Sequence, residues 1–182
     1  LMLRAGRGDE AAFEALYRRH RDRVTRLAYR FTGNRTDALD VLQETFLYLV
    51  RKAPEYEPLA KFTTFLYKIV RNLSITHGRR RRRRPTSLDL DADRLDGASD
   101  PPEHALIEAE EHQAVRRVLD GLPEKYREVL ILRVQEELTY REIGEVLDIP
   151  AGTAKSRVHY GMKKFASAME RVRRREHRSD RV

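Results

Sequence analysis

The chain has no cysteine among its 182 residues. Disulfide frameworks and cysteine-based zinc sites are therefore excluded. The six histidines are scattered, no two of them one helical turn apart, and make no metal site by themselves. No cofactor is expected. No apolar run approaches the length of a membrane span. The opening residues, Leu1-Met2-Leu3-Arg4-Ala5-Gly6, are too short and polar for a secretory signal. A soluble, cytoplasmic protein without direct membrane contact is expected. Its opening Leu1 in place of Met suggests a trimmed or re-annotated start. Strand signals are almost absent as well, and 3.6-residue periodicity takes their place.

Positive charge is plentiful. Lys and Arg number 37 against 29 Asp and Glu, a formal charge of +8, and the pI is about 9.9. A polyanionic partner fits such a balance. Charge alone does not separate that partner from a merely Arg-rich composition.

Amphipathic periodicity predicts a helix over 11–31, with Phe13, Leu16, Tyr17, Val24, Leu27, Ala28 and Phe31 on one face. Gly33-Asn34 breaks it. A second helix is predicted over 36–51, with Asp37 in the first turn, where the helix dipole favours an anion. A third runs from about Lys61 to His77 and stops at Gly78. Arg79 to Arg84 is an unbroken arginine run, and 86–102 is rich in Asp, Gly, Ser and Pro. That segment cannot bury enough surface to offset its ordering entropy. The expected fold is all-α: two small helical domains, 1–84 and 102–182, joined by a flexible acidic linker over 85–101. Helices resume near Pro102, and one ends at Gly121. Pro123 opens the next, to about Val134. Thr139 and Glu142 form a capping box. A short helix reaches Leu147, 148–152 is a turn, and a last helix runs from about Thr153 into an Arg-rich tail.

A short helix, a tight turn and a longer basic helix make a helix-turn-helix pattern. On the wheel of the last helix, Ala154, Val158, Gly161, Met162, Phe165 and Ala168 share one side. Ser156, His159, Tyr160 and Lys163 share the other, flanked by Lys155 and Arg157. The second set is either a solvated face or a row of donors for a DNA major groove. The short partner helix and the density of Lys, Arg and Ser favour the groove.

On the second helix, Leu42, Thr45, Phe46 and Leu49 form a core stripe. Asp40, Gln43, Glu44 and Leu47 cluster opposite, as a solubilising face or a docking surface. On the third, Phe62, Leu66, Ile69 and Leu73 form the buried side. Thr64, Lys68 and Arg71 point outward, with Tyr67 at the edge. A partly exposed aromatic beside cations suits stacking on an unpaired base. Phe62 and Phe65 suit core packing. In the loop 53–60, Pro54 and Pro58 limit the freedom lost on binding. Glu55 and Glu57 either read donor edges of a base or solubilise the loop.

The stretches Leu122-Pro123-Glu124-Lys125-Tyr126-Arg127-Glu128-Val129-Leu130, 138–147 and Ile149-Pro150-Ala151-Gly152-Thr153-Ala154-Lys155-Ser156-Arg157 resemble region 4 of the extracytoplasmic-function sigma factors. In that family this module recognises the −35 promoter element. The resemblance implies that Lys155, Ser156, His159 and Tyr160 face bases, and that Arg133, Arg141, Thr153 and Arg157 hold phosphates, with Lys163 on the same face. Tyr160 stands where the family often has Arg, and Tyr cannot make the bidentate contact with guanine.

Asp37-Ala38-Leu39-Asp40-Val41-Leu42-Gln43-Glu44-Thr45-Phe46 is similar to sigma region 2.2, which docks on the clamp helices of the polymerase β′ subunit. Asp40, Gln43, Glu44 and Leu47 are the implied contacts. The commoner form has Glu-Asp where Leu39-Asp40 stands, so one carboxylate is missing. Residues 62–73 resemble regions 2.3 and 2.4, which open and read the −10 element. They imply DNA contacts for Thr64, Tyr67, Lys68, Arg71 and Asn72. The 53–60 loop, with Tyr56 and Glu57, falls where the family captures a flipped base. The arginine run meets phosphates in this reading, or is a solvated linker end.

The resemblance implies a sigma factor that binds core RNA polymerase (β′ clamp helices and β flap) and promoter DNA, both duplex and single-stranded. Family members are often held by an anti-sigma factor, which joins the expected partners. A stand-alone helix-turn-helix regulator is the alternative. It explains the second half but not the Asp40-Gln43-Glu44 surface. A metal-dependent enzyme needs clustered carboxylates or histidines on rigid elements, so no enzyme is expected.

Overall fold

The computed structural model describes residues 1–83 and 113–179, with side chains over 1–81 and 113–174. The chain divides into two compact units, Leu1–Leu95 and Asp96–Val182. Among the described residues there are helices and no strand. The linker expected over 85–101 and the helix start near Pro102 lie outside the described residues.

The first unit begins with one turn of helix, α1 (Met2–Ala5), which the periodicity did not signal; Met2 is its buried anchor. Asp9 then caps α2 (Glu10–Thr32), its carboxylate accepting the Ala12 N–H at 2.9 Å. That cap, then Arg4, holds the Asp9 carboxyl below its ordinary pKa. Gly33 ends α2 at φ 72, a left-handed conformation that favours glycine. Asn34 caps α3 (Arg35–Lys52) by accepting the Asp37 N–H at 2.9 Å. A 3-10 turn (Ala53–Glu55) leads into the loop before α4 (Phe62–Arg83). Leu16, Val24 and Leu27 of α2, Val41, Phe46 and Leu49 of α3, and Leu66 and Val70 of α4 are all buried. Phe46 takes the edge contacts of Phe13 and Tyr17.

Gly78 does not stop α4, which continues to Arg83. Glycine in a helix interior costs about 1 kcal/mol relative to alanine, and tertiary contacts offset it here. His77 Nε2 lies 3.1 Å from Glu44 Oε1, and Arg81 lies 3.6 Å from Asp37. These pairs tie the last turns of α4 to α3. Arg79 to Arg83 are therefore helical; Arg84 lies outside the described residues.

In the second unit residues 113–120 form helix α5. Pro123 precedes α6 (Glu124–Leu130). The helix expected to reach Val134 widens instead into a π turn (Ile131–Gln135), closed by the Glu136 N–H to the Ile131 carbonyl at 3.3 Å. Glu137 follows at φ 57. The capping box forms as expected, with Thr139 and Glu142 bonding reciprocally at the start of α7 (Tyr140–Leu147). The turn to α8 (Ala151–Ser179) passes through Asp148 at φ 54. The Ile149 N–H bonds the Gly144 carbonyl at 3.0 Å. A Cβ on Gly144 would stand 2.6 Å from the Ile149 carbonyl, so the tight turn needs glycine there. The Pro150 carbonyl accepts the Ala154 N–H at 3.0 Å, and α8 therefore begins two residues before the expected Thr153. Val129, Ile131, Leu132, Ile143, Val146 and Ala154 close the core.

Candidate functional site

Helix α8 presents the polar row that its wheel predicts. Ala154, Val158 and Gly161 are buried, while Lys155, Ser156, His159, Tyr160 and Lys163 are exposed and Thr153 and Arg157 half-buried. The His159 and Tyr160 rings meet edge-on at 5.5 Å. Ser156 Oγ donates to the Thr153 carbonyl at 2.9 Å, so toward a ligand it offers lone pairs. Arg141 is exposed and pairs with Glu145 at 3.2 Å. Arg133 is also exposed, but it is braced: it donates to the Leu138 carbonyl at 3.0 Å, and its guanidinium lies 5.2 Å from the Tyr140 ring centroid. It thereby closes the loop that follows the π turn.

Met162 departs from expectation, being 46% exposed and not on the buried side. A Cβ on Gly161 would lie 3.3 Å from Leu130 and 3.4 Å from Tyr126. The close approach at Gly161 narrows the buried stripe and leaves Met162 at its rim. Beside the polar row, Tyr160, Lys163, Lys164 and Arg171 of α8 face Val118 and Leu122 across a groove of about 770 Å³.

In the first unit, Asp40, Gln43 and Leu47 are exposed, and Glu44 is half-buried against His77. Leu42, expected in the core stripe, is half-buried, while Val41 is buried in its place. The sequence reading placed Leu47 on this outer surface but missed Leu39 and Val50. Leu39 and Leu47 are each 47% exposed, and Val50 is exposed beside them. Their spacing of 39, 43, 47 and 50 follows one helical stripe through Gln43, a signal that was present in the sequence. Asp37, Asp40 and His77 bring three possible metal-ligating atoms within 4.8 Å of one another. The scattered histidines gave no hint of this, because the ligand set spans α3 and α4. Arg81 and Glu44 already lie against Asp37 and His77 there.

Two residues expected to face DNA do not. Tyr67 is 0% exposed and Thr64 is 4% exposed. Helix α2 covers that side of α4, and the Arg23 guanidinium lies 5.2 Å from the Tyr67 ring centroid. Lys68 and Arg71 remain half-buried and Asn72 exposed, with Arg71 donating to the Asn72 side chain at 3.1 Å. The accessible aromatics lie on the first turn of the helix and in the loop before it. Tyr56, Phe62 and Phe65 are half-buried rather than core, with ring centroids 5.4–6.5 Å apart, and His20 stands 5.3 Å from Phe62. Burial raises the Tyr56 phenol pKa above its ordinary value. A cleft of about 340 Å³ opens here among Tyr48, Tyr56, Glu57, Leu59 and Phe65. Lys52 pairs with Glu55 at 2.8 Å, which holds the Glu55 carboxyl low; Glu57 is exposed.

Two family models match. Sigma-70 region 2 aligns with residues 16–84 and sigma-70 region 4 with residues 112–165. The chain is 38% identical over 162 residues to the ECF RNA polymerase sigma factor SigE of Mycolicibacterium smegmatis, covering 87% of this chain and 63% of that protein. It is 34% identical over 165 residues to the ECF RNA polymerase sigma factor SigW of Bacillus subtilis, covering 85% of this chain and 87% of that one. The fold resembles CnrH, solved with the cytosolic domain of CnrY, at TM-score 0.70 and 21% identity over 93% of this chain and 94% of CnrH. It also resembles the sigma factor RpoE of Bartonella quintana, solved with the anti-sigma factor NepR, at TM-score 0.68 and 21% identity over 87% of this chain and 97% of that one. No described helix is long and apolar enough to cross a membrane.

Proposed function

Because the chain belongs to the sigma-70 family, as an extracytoplasmic-function sigma factor, we propose that it binds core RNA polymerase and directs promoter-specific initiation in the cytoplasm. The first unit, assigned to 1–84, docks on the β′ clamp helices through α3. Leu47 and the exposed Leu39 and Val50 supply apolar contact, Gln43 a hydrogen-bonding amide, and Asp40 and Glu44 the charge. The second unit, assigned to 102–182, contacts the β flap and reads duplex −35 DNA with Lys155, Ser156, His159 and Tyr160. Arg133, Arg141, Thr153, Arg157 and Lys163 hold phosphates. The segment 85–101 spans the distance between the two promoter elements.

At the −10 element the cleft at Tyr56 and Glu57 takes an extruded base, and Lys68, Arg71 and Asn72 face the strand. Thr64 and Tyr67 act from beneath that surface, as packing. The chain makes and breaks no bond; the chemistry belongs to the polymerase. An anti-sigma factor is a further partner, as the complexes of CnrH and RpoE illustrate for those proteins.

The observation that carries this reading is the exposed surface of α3. A stand-alone helix-turn-helix regulator has no need of an apolar stripe edged by carboxylates on a separate unit. Co-purification with core polymerase, followed by run-off transcription over a genomic library, tests it. A stable complex that initiates at discrete sites is expected. A chain that binds promoter DNA but not core is a regulator instead.

A further inference from the structure

Of the six arginines of helix α2, four share one face to which the proposed function gives no role. Arg19, Arg23, Arg26 and Arg30 follow the spacing i, i+4, i+7, i+11, which places them within about 60° of one another on the wheel. Arg19, Arg23 and Arg26 are exposed and Arg30 half-buried. They place four positive charges along a rise of about 16 Å. The carboxylates of α2 lie elsewhere. Glu14 pairs with Arg18, and Asp22, on the flank of the stripe, pairs with Arg21 at 3.4 Å.

Two contacts fix where the stripe runs. Arg23 lies over Tyr67, on the side of α4 from which Arg71 projects one turn further on. His20, next to Arg19 in the chain, joins the aromatic group at Phe62. A cationic ridge thus borders a platform of partly accessible rings. The local field is felt at His20, whose pKa is lowered first by burial and then by Arg19 and Arg23. Single-strand binding surfaces combine these two parts: cations that follow the backbone, and rings that take the bases. A solvated surface needs the charges but not the rings beside them, and an acidic protein partner has no use for a stacking platform.

We propose that Arg19, Arg23, Arg26 and Arg30 form a phosphate track for single-stranded DNA, alongside the rings of His20, Tyr56, Phe62 and Phe65. The track takes no part in sequence choice. It adds affinity for whichever strand the −10 cleft has opened. This rests on the reading of the first unit as the −10 domain.

The test uses holoenzyme assembled from core polymerase and the full chain, with a fork DNA whose −10 strand is unpaired. Arg19→Gln together with Arg26→Gln removes two charges while sparing Arg23, which packs on Tyr67. At about 0.7 per phosphate contact on a single strand, the slope of log affinity against log salt should become shallower by about 1.4. Over a fourfold rise in salt the variant then loses about sevenfold less affinity than wild type. Arg19→Lys with Arg26→Lys keeps the charges and should restore the slope, and affinity for core should not change. An unchanged slope in the glutamine pair overturns the track. So does a loss of core affinity in that pair, which makes the ridge a protein contact. Wild-type holoenzyme with no affinity for the unpaired strand overturns the −10 reading itself.

Discussion

Replacing Lys155 by alanine should weaken binding to a −35 duplex more than replacing Ser156, its neighbour on the same face. Lys155 is exposed on the outer face of α8, where its ammonium can reach a base edge or a phosphate. A specific base contact is worth about 1–3 kcal/mol, so Lys155→Ala should lower affinity by about 5- to 150-fold. The Ser156 hydroxyl already donates to the Thr153 carbonyl, so its contribution is limited to accepting one neutral hydrogen bond. Ser156→Ala should therefore cost about 0.5–1.5 kcal/mol. Alanine favours helix at both positions, so α8 itself is preserved. Fluorescence anisotropy of a labelled −35 duplex in full-length protein, with a footprint of the same element, reads the difference. Unchanged affinity and footprint in Lys155→Ala would mean that another face of α8 meets DNA. A Ser156 effect larger than that of Lys155 would refute the hydrogen-bond reasoning.

Gly144→Ala should destabilise the second unit by about 1–3 kcal/mol, because the added methyl meets the backbone of the turn; a thermal melt unchanged from wild type would contradict the geometry. The lowered pKa of His20 means that the unfolded chain takes up its proton more readily than the folded one. The stability it confers is complete above pH 6.5, its ordinary value, and declines as pH falls below that. His20→Phe should flatten the loss of stability between neutral pH and pH 5 in denaturant titrations, and an equally steep loss would exclude His20 as its source.

Much of this was legible in the sequence where a single helix decides the outcome. The Thr139–Glu142 box marks the start of α7 by local chemistry alone, and it formed. The outward row of α8 and the exposure of Asp40 and Gln43 follow from one wheel each. Where a third helix intervenes, one wheel is not enough. On the wheel of α4 alone Thr64 reads as outward and Tyr67 as an edge residue, but both are buried, Tyr67 beneath Arg23 of α2. Met162 reads as apolar and inward, yet the close approach at Gly161 leaves no room for it in the stripe. Gly78 reads as a stop because its neighbours in sequence do not reveal Glu44 and Asp37, which hold the helix together beyond it. The π turn at Ile131–Gln135 has no periodicity of its own, and only the packing around it shows that one extra residue is accommodated.

The most direct measurement is the affinity of full-length protein for core RNA polymerase, taken with and without charge reversal at Asp40. Asp40 is exposed on α3, whereas Glu44 is half-buried and hydrogen-bonded to His77, so Asp40 is the site reversed. Asp40→Lys should weaken the complex at least tenfold, about 1.4 kcal/mol or more, while affinity for a −35 duplex stays the same. Equal affinity of the two proteins for core, or a wild-type chain that never assembles with core, would contradict the docking role of α3.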